Sequence, residues 1–61
     1  MERTILDYII ASNYGADYTE LLNDLVDDDH TRKEIKLALS SLLAKNLIIY
    51  ESGTNTFDLP L

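Results

Sequence analysis

The 61-residue chain contains no cysteine, one proline, two glycines and one histidine. Without cysteine it has no disulfide scaffold, no Cys-based zinc finger and no thiol nucleophile, while the compartment stays open because reducing and oxidising environments both permit the absence. The glycines, Gly15 and Gly53, are each explained by a turn, and no Gly-rich phosphate loop exists. With His30 alone, neither a zinc site nor a Cys-His or Ser-His-Asp constellation assembles from this chain. Asp27, Asp28 and Asp29 beside His30 lack the calcium-loop spacing of a glycine at the sixth place and a glutamate at the twelfth. No metal and no cofactor are expected.

Long apolar runs are missing too. Ile9-Ile10-Ala11 and Leu42-Leu43-Ala44 fall far short of the roughly 18 residues of a membrane span. Glu2 and Asp7 stand where a secretory leader wants Lys or Arg, and no small-residue cleavage site follows, so the expectation is a cytoplasmic protein with no membrane association. Positive charge is scarce: 5 Lys and Arg stand against 11 Asp and Glu, a formal net charge of −6.

What is present is apolar material, 46% of the residues, spread over the whole chain. That excludes intrinsic disorder, which needs low hydrophobicity beside high charge. The length implies a single domain over residues 1 to 61, and a domain of this size buries only about 60% of the surface its unfolded chain exposes. A core that thin leaves hardly any room for a pocket of about 300 Å3. Paired carboxylates occur only as exposed neighbours. The reading is non-enzymatic, with no small-molecule ligand evident.

Ile5, Leu6, Ile9 and Ile10 recur at helical spacing after Glu2, and Asn13-Tyr14-Gly15 supplies an ending, which predicts a helix over residues 2 to 13. Asp17 with Glu20 has capping-box spacing ahead of Leu21, Leu22, Leu25 and Val26, a second helix over 18 to 27. Thr31 with Glu34 repeats the pattern and opens a third helix over 31 to 45. Its inner side carries Ile35, Ala38, Leu39, Leu42 and Leu43; Lys33, Lys36, Leu37, Ser40, Ser41 and Ala44 point away, and Asn46 ends it in the left-handed conformation. Leu47-Ile48-Ile49-Tyr50, the turn cluster Ser52-Gly53-Thr54-Asn55 and Thr56-Phe57-Asp58-Leu59 before Pro60 then read as a β-hairpin over 47 to 59. The fold class is mainly α with a C-terminal β-hairpin. Tyr8 and Tyr18 are expected to bury their rings at helix packing sites with the hydroxyl at the edge, Tyr14 to sit in the turn and Tyr50 on the hairpin.

Two short helices joined by a tight turn and followed by a hairpin form a helix-turn-helix with a wing. The chain resembles the winged helix-turn-helix superfamily. The stretch from Thr31 to Ile48 looks like a recognition helix with its apolar spacing, and Asn46-Leu47-Ile48 stands where many members have a Gly-Leu-Ile step into the first wing strand. The resemblance implies that the exposed N-terminal half of the third helix enters the DNA major groove and that the wing touches phosphates. Carried across, the contact residues are Arg32, Lys33, Lys36, Leu37 and Ser40.

Charge pulls the other way. Phosphate contacts need a local excess of Lys and Arg, whereas the stretch from Leu47 to Leu61 has none and carries Glu51 and Asp58. Asp27, Asp28 and Asp29 lie within about one Debye length, ~8 Å, of where a phosphate would meet the third helix. Together with Glu34 they cancel Arg32, Lys33 and Lys36. The leading expectation is therefore an acidic winged-helix regulatory module that binds a protein of a transcription or other nucleic-acid machinery, or pairs with itself as a homodimer. Its contacts would be the outward Leu37 and an acidic cluster, Asp27, Asp28 and Asp29, imitating phosphates. A DNA-binding transcriptional regulator is the alternative reading, disfavoured by charge.

Overall fold

The computed structural model describes residues 1–13 and 15–60. Helix α1 (Glu2–Ala11) buries Ile5 and Ile9, four residues apart on one face. Leu6 and Tyr8 flank that face half-buried, and Ile10 is exposed. The helix stops two residues before the expected end because Ser12 competes for its carbonyls. The Ser12 hydroxyl donates to the Tyr8 carbonyl oxygen at 3.0 Å and its N–H to that of Ile9, with ψ at 93°. Gly15 follows at φ +95°, where a Cβ would stand 3.4 Å from Thr56 and from the Phe57 carbonyl oxygen. Both the backbone angle and the space favour glycine there. Tyr14, assigned to this turn, lies outside the described residues.

Strand β1 (Ala16–Asp17) is an element the hydrophobic pattern did not announce. Two residues are too short for an alternation to register. The chain leaves it directly into α2 (Tyr18–Leu25), where Asp17 Oδ1 accepts the Glu20 N–H at 3.1 Å, the cap that the spacing predicted. Helix α2 buries Leu21 and Leu22 and ends at Leu25 instead of residue 27. Val26 is already extended, with ψ at 131°.

Helix α3 (Arg32–Ala44) begins on the expected Thr31 cap, whose Oγ1 accepts the Glu34 N–H at 3.2 Å. Ile35, Leu39 and Leu42 are buried, and Ala38 and Leu43 half-buried. Ser41, expected to point away, is half-buried as well. The C-terminus is a Schellman motif: Asn46 takes φ 60°, its N–H donates to Leu43 and the Leu47 N–H to Leu42.

Strands β2 (Ile49–Glu51) and β3 (Thr56–Asp58) form the hairpin, in the register Ile49 to Asp58, Tyr50 to Phe57 and Glu51 to Thr56. Asn55, at φ 55°, closes the turn. The far edge of β3 pairs antiparallel with β1, Ala16 opposite Phe57 and Asp17 opposite Thr56, so the sheet order is β1-β3-β2. The Tyr18 N–H extends that seam by donating to the Asn55 carbonyl oxygen at 3.0 Å. Ile48, just outside β2, is buried in the core with Phe57, Ala16 and the inner faces of all three helices. The architecture is three helices with a small antiparallel three-stranded sheet, mainly α with C-terminal strands. Among the described residues no helix is long and apolar enough to cross a membrane.

Candidate interaction surface

Arg32, Lys33, Lys36, Leu37 and Ser40 are all exposed on α3, and Leu37 is 61% accessible. Positions 33, 36, 37 and 40 form one stripe by the three- and four-residue spacing of a helix. Arg32, four residues before Lys36, flanks the stripe. Its Nη2 donates to Asn23 Oδ1 at 2.9 Å, tying the start of α3 to α2.

The other two bases are engaged elsewhere, Arg3 with Asp7 at 3.3 Å and Lys45 with Glu2 at 2.8 Å. Lys33 and Lys36 make no ion pair among the described residues. The unneutralised cations of this acidic chain are therefore gathered on the first half of α3.

The three aspartates before α3 are not equivalent. Asp27 Oδ1 accepts the N–H groups of Asp29 and His30 at 2.9 and 2.8 Å, and the Asp27 N–H donates to the His30 carbonyl oxygen at 3.0 Å. Asp27 is thus the lock of the turn between α2 and α3. Asp28 and Asp29 remain as exposed carboxylates. His30 Nδ1 lies 3.4 Å from Glu34 Oε2 one helical turn on. Among the described residues no three His, Asp or Glu side chains converge as metal ligands.

Between α3 and the hairpin runs an open groove of about 390 Å3. Leu39 and Leu43 form one wall and the rings of Tyr18, Tyr50 and Phe57 the other; Lys36 and Ser40 stand at the rim. The rings pack tilted or edge-on, with centroids 6.3 Å apart for Tyr18 and Tyr50, 5.2 Å for Tyr18 and Phe57 and 5.0 Å for Tyr50 and Phe57. The Tyr50 hydroxyl donates to Asn55 Oδ1, which holds its exposed ring in place. Successive strand residues point to opposite faces, so Tyr50 and Phe57 share the groove face while Glu51 lies on the other. Among the described residues, Lys36 is consequently the only charged one lining this groove.

A second open groove, about 430 Å3, lies between the end of α1 and the opposite side of the hairpin, lined by Ile9, Ile10, Ile49 and Leu59 with Asp58 as its only charge among the described residues. The thin-core expectation of no room for such volumes is corrected for the surface. Both grooves are open seams where a helix meets the hairpin. The aromatic groove was not foreseen. Cross-strand pairing over the Ser52–Asn55 turn carried the Tyr50 and Phe57 half of the signal; Tyr18 arrives only through β1.

Among the described residues two groups have displaced acidities, and neither lines a groove. The Tyr8 hydroxyl donates to Asp24 Oδ2 at 2.5 Å, and that bond to a carboxylate, with partial burial, pushes its pKa up to about 12. The hydrogen bond from Lys45 holds the Glu2 carboxyl below its ordinary value. Comparison of the chain with protein-family models, curated proteins and solved structures finds no match.

Proposed function

We propose that the chain is a non-enzymatic regulatory module of winged helix-turn-helix layout that acts by binding a protein of a transcription or other nucleic-acid machinery. The order of three helices and hairpin, with β1 pairing onto the hairpin, is compatible with that layout. The observation that carries the reading is the character of the hairpin beside α3. It bears Glu51 and Asp58 and no Lys or Arg, and it meets α3 across an apolar, aromatic seam. Both acids lie on the face away from α3, and the hairpin beside α3 offers a duplex no cation of its own. A protein surface would find Leu37, Ser40 and the exposed Tyr50 ring, and the carboxylates of Asp28 and Asp29 for a basic patch of its own.

The DNA-binding alternative keeps one specific support: Lys33 and Lys36 carry charge that no carboxylate of the chain neutralises among the described residues. Fluorescence anisotropy of random duplex DNA at low and at physiological salt separates the two. The expected result is no binding at either salt. Affinity of about 10⁻⁴ to 10⁻⁶ M with a steep salt slope would transfer the function to α3 as a DNA reader. In that case Lys36→Ala should reduce the slope by about 1.

A further inference from the structure

We infer that the groove between α3 and the hairpin receives a short acidic peptide segment of a partner protein, one large apolar side chain seated against the Tyr50 and Phe57 rings and a neighbouring carboxylate on Lys36. The inference rests on the protein-binding reading and names the partner chemistry for it. Volume, walls and charge each contribute. About 390 Å3 lies within the ~300–1,000 Å3 of binding pockets and suits one or two side chains. A domain-sized partner needs about 800 Å2 of surface on each side instead. The walls are carbon-rich and the exposed Tyr50 ring is pinned by Asn55, so an apolar anchor meets a surface that loses little freedom on binding.

Charge selects the occupant. Among the described residues, the single charged one lining the groove is Lys36, a cation without a carboxylate partner there. An incoming Asp or Glu gains that pairing in a site where the hairpin's own Glu51 points to the other face. A second copy of the chain brings a net charge of −6 up to another chain of net charge −6 and gains one such pair. A single strand of nucleic acid can stack on tyrosine, but it presents a phosphate at every nucleotide to one lysine.

The test is selection of phage-displayed random dodecapeptides on the immobilised protein, followed by synthetic versions of the enriched sequences titrated into isotope-labelled protein. Enriched peptides should pair Phe, Tyr, Trp or Leu with Asp or Glu and move the amide signals of Ser40, Leu43 and Tyr50. They should bind about tenfold more weakly to Lys36→Glu, and similarly to Ser40→Glu, which places a carboxylate on the same rim. Unchanged thermal unfolding of either variant confirms that the site and not the fold was altered. Peptides that bind but move Lys33 and Leu37 signals and ignore both variants would overturn the groove while leaving the protein-binding reading intact. Failure to enrich any peptide, with no response to oligothymidylate or duplex DNA, would overturn the groove alone. Failure to enrich together with oligothymidylate or duplex DNA binding would overturn both.

Discussion

The hairpin serves two grooves of similar volume and opposite sign. Among the described residues, on one side Ile9 and Ile10 of α1 face Ile49 and Leu59, and the lone charge is Asp58; on the other, Leu39 and Leu43 of α3 face three aromatic rings, and the lone charge is Lys36. A net charge of −6 describes neither well. Alternation along three-residue strands decides which side chains each groove receives, so a ligand approaching α3 meets a cation in a chain that is acidic as a whole. Local sign governs what binds, and global charge governs how fast and how nonspecifically it arrives.

The sharpest break of this comparison is Phe57→Ala. Phe57 is buried at the centre of β3, the strand that holds both β1 and β2, and touches Tyr18 and Tyr50. Its loss should cost about 3 to 5 kcal/mol in urea unfolding and erase both grooves together. If the chain kept its midpoint, the shared-strand account would be wrong.

A smaller change sharpens the contrast by touching one side. Thr31→Ala removes the cap of α3 and should cost about 1 kcal/mol. Hydrogen exchange should quicken in the first turn of α3, around Lys33 and Glu34, and stay unchanged at Ile49 and Asp58. Equal acceleration on both sides would mean that the domain opens only as a unit.

The smallest effect belongs to α1. Tyr8→Phe deletes the bond to Asp24, exposed enough that about 0.5 kcal/mol is the expected loss near neutral pH. Because the folded pKa is raised to about 12 from an ordinary 10.0, the bond's contribution is complete below pH ~10 and disappears as pH rises through about 12. Unfolding curves of the two proteins should therefore differ at pH 8 or ~9 and converge above about 12, where Tyr8 is ionised in both states. A gap that persists there would assign the effect to packing.

Local signals were read from the residues with little loss. Asp17 and Thr31 cap where Ser, Thr or Asp three residues before Glu predicts a cap, because that bond spans three residues and needs no distant partner. Asn46 terminates α3 as its tolerance of positive φ suggests. The helix ends at Ser12 and Val26 came earlier than the apolar pattern implied. Periodicity reports which face is buried and is blind to a serine hydroxyl that takes a helical carbonyl. Of the candidate contact residues, Lys33, Lys36, Leu37 and Ser40 share the exposed stripe of α3 as expected. Arg32 is drawn to Asn23, nine residues back, and Asp27 engages one carboxylate oxygen in its turn while staying exposed.

By itself the sequence determined the three helices, their caps, the hairpin and the outward stripe of α3, since each depends on spacings of a few residues and on backbone preferences that travel with the residue type. Only the tertiary structure decided that Ala16 and Asp17 would become a strand, because their extended backbone acquires partners only when β3 arrives beside them from forty residues away along the chain, roughly. That one pairing carries Tyr18 to Tyr50 and Phe57, in the groove that Lys36 of α3 also lines. The groove and its sign are products of long-range contact, where no local period exists to be read.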